Sequence, residues 1–394
     1  MARNTQYKYK IKFMYQYNGQ EKEFDYKSII SVIINKDYQN MHRPLMFLKL
    51  SLDKSFIDYM IDHKDENYIY VTIDKYVYGN TIEISESYIN EKMIYFIDSN
   101  KDDMNNINYD KATKESDDIQ RQITIGLMKL DTINSNKKSV SGIYDEDNLS
   151  LTEIILANFS DDKLLFEPIP YQENLKRVMI PYQDTKVKLL EYLEQTYGLY
   201  NTNFRLFFDY DKTYLISSSG NGVKSKDEQY NKVIFHINKL GTEFSKVQGM
   251  TVSDDDSCYD IHVDASDVTK LPLQENTKLF NVILGIDPDG NPKEIQLSNS
   301  SSIDTNKKVK IVHLNNLNNL EYMKAQLENN NMVLTIMKSE IDSSIFTINK
   351  EYYIQGSDEE EMNGKYILTV KKELYTREEN HFIGSCIFTF KKVS

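Results

Sequence analysis

With 394 residues, 40% of them hydrophobic and 27% charged, the chain is expected to be globular rather than disordered and large enough for roughly two to four domains. Its formal net charge of −13 excludes a general DNA-binding surface, which needs Lys and Arg to release phosphate counterions. No run of 18 apolar residues occurs, so no transmembrane helix is expected; Met1 to Lys12 alternates polar and apolar residues and reads as mature structure, not a secretory leader.

The N-terminus predicts a β-hairpin. Tyr7, Tyr9, Ile11, Phe13, Tyr15 and Tyr17 share one face, Asn18-Gly19 supplies a tight turn, and Glu21 to Tyr26 returns. Ser28 to Asn35 predicts a strand buried on both faces and Leu45 to Leu52 another. Asp53 is placed to cap a short helix with Phe56, Tyr59, Met60 and His63 inward. Tyr68 to Tyr78 and Glu91 to Ile97 bring the first hundred residues to about six strands, a density that suggests a barrel or sandwich. Asp98 to Asp118 is a polar boundary, Arg121 to Leu130 a strand, and Ser150-Leu-Thr-Glu153 a capping box opening a short helix. A connector with Pro168, Pro170 and Pro181 leads to an amphipathic helix over Thr185 to Tyr197, striped by Val187, Leu190 and Leu193 and ended by Gly198.

Strand character resumes at Phe204 to Tyr214, Lys232 to Ile237, Tyr259 to Val263 and Leu279 to Ile286. The last is expected to pair with Glu294 to Leu297 through a turn at Pro288-Asp289-Gly290. After a Ser-rich linker at Leu297 to Lys307, the final residues predict a barrel with one covering helix. Its strands are Lys308 to Leu314, Met332 to Met337, Phe346 to Gln355, Gly364 to Tyr375 and His381 to Val393, and its helix carries Leu317, Leu320, Met323 and Leu327. The two cysteines, Cys258 and Cys386, are expected to be free thiols of a reducing cytoplasm.

Candidate chemistry is sparse. Asp209-Tyr-Asp211 has the form in which two carboxylates hold a divalent ion, but no nucleotide-binding glycine loop or βαβ series precedes it, and it reads as a solvated strand end. Asp254, Asp255 and Asp256, with Asp260 and Asp264, read as a solvated loop without EF-hand spacing, and Asp287 to Asn291 as a hairpin turn. Cys258, His262 and His236 fall short of a zinc set, and the remaining histidines, His42, His63, His313 and His381, are scattered. Ser217 to Gly222 lacks the nucleophile elbow and the phosphate-binding glycine pattern. No catalytic, cofactor-binding or metal-binding residue is assigned, and no cofactor is expected.

Three stretches resemble the baseplate hub family of tailed phages, which is related to the hubs of type VI secretion spikes and contractile bacteriocins. They are the opening hairpin with Ile29 to Asp37, Leu45 to Asp53 and the small helix; Arg177 to Pro181 with the following helix and Phe204 to Gly220; and Phe346 to Ile354 with Asn363 to Tyr366 and the closing strands to Val393. The resemblance implies a mainly β fold with minor α. Two barrel-like tube domains, 1–100 and 301–394, would enclose an inserted α+β peripheral domain at 101–205 and a β-rich domain at 206–300. It further implies a non-enzymatic homotrimer in the virion tail, assembled in the host cytoplasm and lining a channel for genomic DNA. Its partners would be the tail tube protein, a tail tip or spike protein, other baseplate proteins and the tape measure protein, with no membrane insertion of its own. A distal tail or tube-initiator protein, and a tail-associated glycan-binding or wall-degrading protein, are the alternatives.

Overall fold

The computed structural model describes residues 6–17, 19–38, 45–63, 68–78, 83–97, 120–130, 138–144, 150–159, 164–169, 178–197, 199–200, 204–209, 212–217, 232–238, 250–252, 258–271, 282–286, 292–296, 309–311, 332–339, 341–348 and 350–393. The fold is mainly β with minor α. The first elements are β1 (Gln6–Tyr17), β2 (Gln20–Glu23), β3 (Ile29–Asp37), β4 (Leu45–Asp53), α1 (Lys54–Asp62), β5 (Ile69–Tyr78), β6 (Glu83–Ile97) and β7 (Gln120–Lys129). There follow β8 (Val140–Tyr144), α2 (Leu151–Asn158), β9 (Leu164–Phe166), β10 (Val178–Gln183), α3 (Lys186–Tyr197), β11 (Phe204–Asp209) and β12 (Lys212–Ser217). The remainder is β13 (Lys232–Asn238), β14 (Met250–Val252), β15 (Cys258–Asp264), β16 (Val268–Leu271), β17 (Val282–Ile286), β18 (Pro292–Gln296), β19 (Val309–Ile311), β20 (Val333–Ser339), β21 (Glu351–Gln355), β22 (Gly364–Glu378) and β23 (His381–Lys392).

Fifteen strands form one sheet, and part of it closes on itself. The ring runs β22–β3–β4–β7–β6–β5–β1–β23, and β23 pairs back onto β22. Every pairing in it is antiparallel, and its closing seam is the single partner pair Tyr9↔Phe382. Alternation fills the interior with Ile11, Phe13, Val32, Leu48, Leu50, Val71 and Ile125. A second set of strands leaves the same hairpin in two arms, β22–β21–β13–β15–β14 and β23–β20–β16. The 3-10 turn Ala265–Asp267 carries the chain directly from β15 in one arm to β16 in the other. The arms wrap a separate core of Val233, Phe235, Ile336, Phe346, Tyr352 and Phe388. The hairpin β22–β23 is thus the common wall of two cores: Tyr375 and Phe382 belong to the first, Tyr366, Leu368 and Phe390 to the second.

A β-bulge interrupts β22 where it passes from one core to the other. Leu368 pairs with Phe390 and Val370 with Thr389, which leaves Thr369 as the extra residue. The inward residues are even-numbered before it (Tyr366, Leu368) and odd-numbered after it (Lys371, Glu373, Tyr375). The carbonyls at the bulge are satisfied: Tyr38 N–H donates to Thr369 O at 2.8 Å, and the buried Arg205 guanidinium donates to Leu368 O at 3.4 Å. Arg205 sits on β11, so the bulge is also where a third core docks, built from α2, α3 and the strands β8 to β12.

Several expectations change. The strand at Ser28 to Asn35 is not buried on both faces; Ile29, Val32 and Ile34 point inward while Ile30 and Ile33 are half-buried outside. Asp53 occupies the helix N-cap without a side-chain cap bond, and Ile57 with Met60 forms the buried face. Phe204 to Tyr214 is a hairpin, with Asp209 opposite Lys212, not one strand. Pro181, read as connector, lies in β10, where an edge position and a register shift between Ile180 and Gln183 tolerate its missing N–H. Phe346 to Ile348 lie outside any strand, and only Glu351–Gln355 forms β21. β19 pairs in parallel with β17 and not with the large sheet. By contrast, the hairpin β17–β18, the full capping box of Ser150 and Glu153, and Gly19 at φ +75° follow the sequence reading. Gly198 and the helix at Leu317 to Leu327 lie outside the described residues.

Gly384 on β23 faces the ring seam, where an added Cβ would stand 2.8 Å from the Tyr9 ring. That ring packs edge-on against Tyr375 at 4.9 Å. Gly384→Ala is expected to cost about 1–3 kcal/mol through displacement of Tyr9, read as a lower Tm with a weakened near-UV tyrosine signal. In α3, Glu194 accepts from Leu199 N–H at 2.7 Å and Tyr200 N–H at 3.4 Å, yet burial outweighs both bonds and pushes its pKa from 4.5 to about 7. A carboxyl whose folded pKa is raised stabilises the fold only when protonated, so this contribution is lost as pH rises from 4.5 through 7. Glu194→Gln is therefore expected to be more stable than the parent by about 2–3 kcal/mol at pH 8, with the two denaturation midpoints converging as pH falls toward 4.5.

Candidate functional site

The end of the closed ring that faces the second core is lined with charge. Continuing the inward alternation, β3 places Lys36 after Val32 and Ile34, and β5 places Lys75 after Val71 and Ile73. Past the bulge, β22 contributes Lys371, Glu373 and Tyr375. Into this mouth enters the segment 341–348 between β20 and β21, with Ile341, Asp342, Ser343, Phe346 and Ile348 all buried. A buried irregular segment must have its backbone polar groups satisfied from outside itself. Lys371 Nζ donates to Ser343 O and Phe346 O, each at 2.9 Å, and Tyr9 Oη donates to Ile341 O at 3.3 Å.

The charges are then balanced pair by pair. Lys371 and Lys36 are direct cross-strand partners, a repulsive placement in isolation. Glu373 Oε1 lies between them, 2.9 Å from Lys371 Nζ and 3.8 Å from Lys36 Nζ, while its other oxygen accepts from Tyr375 Oη at 3.0 Å. Lys75 Nζ meets Asp342 Oδ2 at 2.9 Å and ties the inserted segment to the ring. Burial, with Asp342 nearby, pushes the Tyr7 phenol up to about 12, and burial with Glu373 nearby holds that of Tyr375 well above its usual value. Burial and Glu373 likewise hold the Cys386 thiol well above its usual pKa, so it stays protonated and unreactive. The cluster fixes geometry; it presents no activated nucleophile.

The positions singled out for chemistry lie apart from this cluster. His236 and His262 are cross-strand partners on β13 and β15, with rings stacked at 5.1 Å. His236 Nε2 is 2.9 Å from Asp260 Oδ1, and His262 Nδ1 is 3.3 Å from Asn238 Oδ1. Burial, reinforced by His236, lowers the His262 pKa. Cys258 is buried and 4.0 Å from Asp260. Among the described residues no group of three or more His, Cys, Asp and Glu is arranged to hold a metal. His63 stacks on Tyr59 and bonds to its carbonyl, and His381 is 3.7 Å from Glu378. Asp211, Asp254 to Asp256, Asp287 to Asn291, Ser218 to Gly222, His42 and His313 lie outside the described residues. The sequence reading missed the Lys36, Lys75, Lys371 and Glu373 cluster. Its signal was present for two of them: a lysine in phase at the end of an apolar alternation.

Removal of one partner from a buried pair strands the other. Lys371→Met is expected to cost about 3–5 kcal/mol, because Glu373 and two carbonyls lose their donor. The double variant Lys371→Met/Glu373→Leu is expected to be less destabilised than the sum of the two singles, and a denaturant double-mutant cycle measures the difference.

The architecture is shared with a solved structure. Over 98% of this chain and 96% of the other, it superposes on the tail protein from Neisseria meningitidis MC58 with a TM-score of 0.51 at 9% identity, a likeness of fold. Weaker matches include the 43 kDa tail protein of prophage MuSo2 from Shewanella oneidensis, with a TM-score of 0.49 at 10% identity over 97% of both chains. Another is an E. coli component of the type VI secretion system, with a TM-score of 0.42 at 9% identity over 93% of this chain and 74% of that one. No curated protein matches by sequence. A family model does match, over residues 1–393, and by that match the chain belongs to the bacteriophage PBS1 gene 109 protein family.

Proposed function

We propose that the chain is a structural subunit of the phage tail, the baseplate hub that joins the tail tube to the tail tip or spike, acting as a scaffold and not as an enzyme. The observation that carries this reading is the pair of β units built on one hairpin. A chain with two such units needs only three copies to present six around an axis, the number that meets a six-fold tube. The shared wall β22–β23 supports the same reading, because it fixes the two units at one separation and orientation, as a ring component requires. The buried ion pairs at their junction act in the same direction.

In this reading the two β units that share the β22–β23 hairpin form the ring. The third unit, built from α2, α3 and β8 to β12, stands at its periphery and meets other baseplate proteins. The net charge of −13 supports a channel that genomic DNA traverses without sticking. The tail tube protein, a tip or spike protein and the tape measure protein are the expected neighbours, in a virion tail assembled in the host cytoplasm. Light scattering on purified protein tests the proposal. A mass close to three times the 46.2 kDa of one chain is expected. A strict monomer at high concentration overturns the hub reading and favours a glycan-binding or wall-degrading tail protein, which turbidity loss on cell walls then distinguishes.

A further inference from the structure

The second core has an open cleft at one end, remote from the buried ionic cluster. It measures about 250 Å³ and lies between the end of β13 with the turn into β16 on one side and the loop Gly356–Met362 on the other. Its apolar lining is Ile237, Ala265, Val268 and Met362, and its rim carries Asp358 and Glu359. Three features bear on what would fill it. First, β16 ends the strand order of the large sheet: among the described residues its strand partner is β20 alone, so apart from Val268 N–H, which donates to Ala265 O, the outer row of its backbone groups has no strand partner there. Second, the rim is held in place. Ser357 N–H donates to Asn363 Oδ1 at 3.1 Å, Asn363 Nδ2 returns to Ser357 O at 3.2 Å, and Ser357 Oγ accepts from Glu359 N–H at 3.2 Å. Third, four consecutive exposed acids, Asp358 to Glu361, crown that loop. The chain's own Lys270 already delivers its ammonium there, to Glu361 and, at 3.8 Å, to Glu359.

We propose that this cleft and the edge of β16 together receive an extended, basic segment of a neighbouring protein. The segment's backbone pairs with β16. The aliphatic stem of an Arg or Lys lies on the apolar lining while its charged head meets the acidic rim. The volume suits one long side chain and falls below the roughly 300 Å³ at which small-molecule sites begin. The excess of carboxylates over ammonium groups at the rim selects cationic partners and repels acidic ones. This inference rests on the scaffold reading only in taking the occupant to be protein; it is independent of the number of copies in the ring.

The test is fluorescence anisotropy on the full chain with a labelled short peptide that alternates arginine and threonine. Three controls accompany it: a glutamate–threonine peptide, an arginine–threonine peptide N-methylated at alternate residues, and measurements at rising salt. The expected result is binding of the first peptide, with an affinity loss of roughly tenfold in Asp358→Asn/Glu359→Gln and a comparable loss on N-methylation. The charge-matched variant Glu21→Gln/Glu23→Gln, on the exposed strand β2, should bind as the parent does. Equal losses in the two variants show diffuse attraction to an acidic protein and overturn the proposal, as does absence of binding. Indifference to N-methylation overturns the strand-pairing part. The light-scattering mass is unaffected by any of these outcomes, so failure here and failure of the hub reading remain distinguishable.

Discussion

Two cores share one wall, and that constraint organises the rest of the chain. A strand alternates with period two, so a long hairpin presents a single inward face along its whole length. Both strands serve both cores on that one face, Phe382 and Tyr375 in the first and Phe390 and Leu368 in the second, but the numbering of inward residues changes partway along β22. The extra residue at Thr369 does this on β22, while β23 keeps one phase from Phe382 to Phe390. At the bulge, Thr369 O accepts from Tyr38 N–H and Leu368 O from the Arg205 guanidinium. The third core is thereby anchored at the point where the hairpin changes allegiance.

The same geometry explains why lysines are buried where a barrel ordinarily carries leucine. The mouth of the closed ring cannot be filled by its own strands, because the hairpin continues beyond it into the second core. An irregular segment fills it instead, and its carbonyls need donors in a place water does not reach. Lysine is suited to this, since its stem packs like a hydrophobe and one ammonium satisfies several acceptors. Once Lys371 is committed to Ser343 and Phe346, Glu373 becomes necessary as counter-charge, and with it Lys36 gains a partner. Such a cluster adds little net stability over apolar packing, but it penalises any arrangement in which the segment is withdrawn.

Much of the local structure was legible in the sequence. Asn18-Gly19 marked the first turn, Ser150 with Glu153 marked a helix start, and the alternation from Tyr7 to Tyr15 marked the inward face of β1. Those signals are carried by adjacent residues. What was not legible depends on distant ones. The N-terminal strands close only by pairing with β22 and β23, more than 330 residues away, and no window of sequence contains that fact. Lys371 and Glu373 were hidden because the bulge inverts the phase on which their burial would have been read. Pro181 misled because its cost depends on whether a strand is central or at an edge. His236 and His262 read in sequence only as an incomplete zinc set, and the parallel register of β13 on β15 is what shows Asp260 and Asn238 engaging them.

The burial of cations also changes what the acidity of the chain means. Among the described residues the buried charged side chains are Lys36, Lys75, Lys186, Lys350, Lys371 and Arg205 against Glu194, Asp342 and Glu373. Six cations and three anions are thus withdrawn from the surface, and the remainder of the chain carries three more negative charges than its net −13. A surface of that sign keeps separate copies apart and keeps DNA from adhering. It also opposes assembly, since any face brought against another acidic face adds repulsion. Contacts that hold such a chain in a larger structure must therefore be apolar, or be made by backbone pairing, or meet basic partners. The open edge of β16 beside an apolar cleft with a carboxylate rim offers all three in one place.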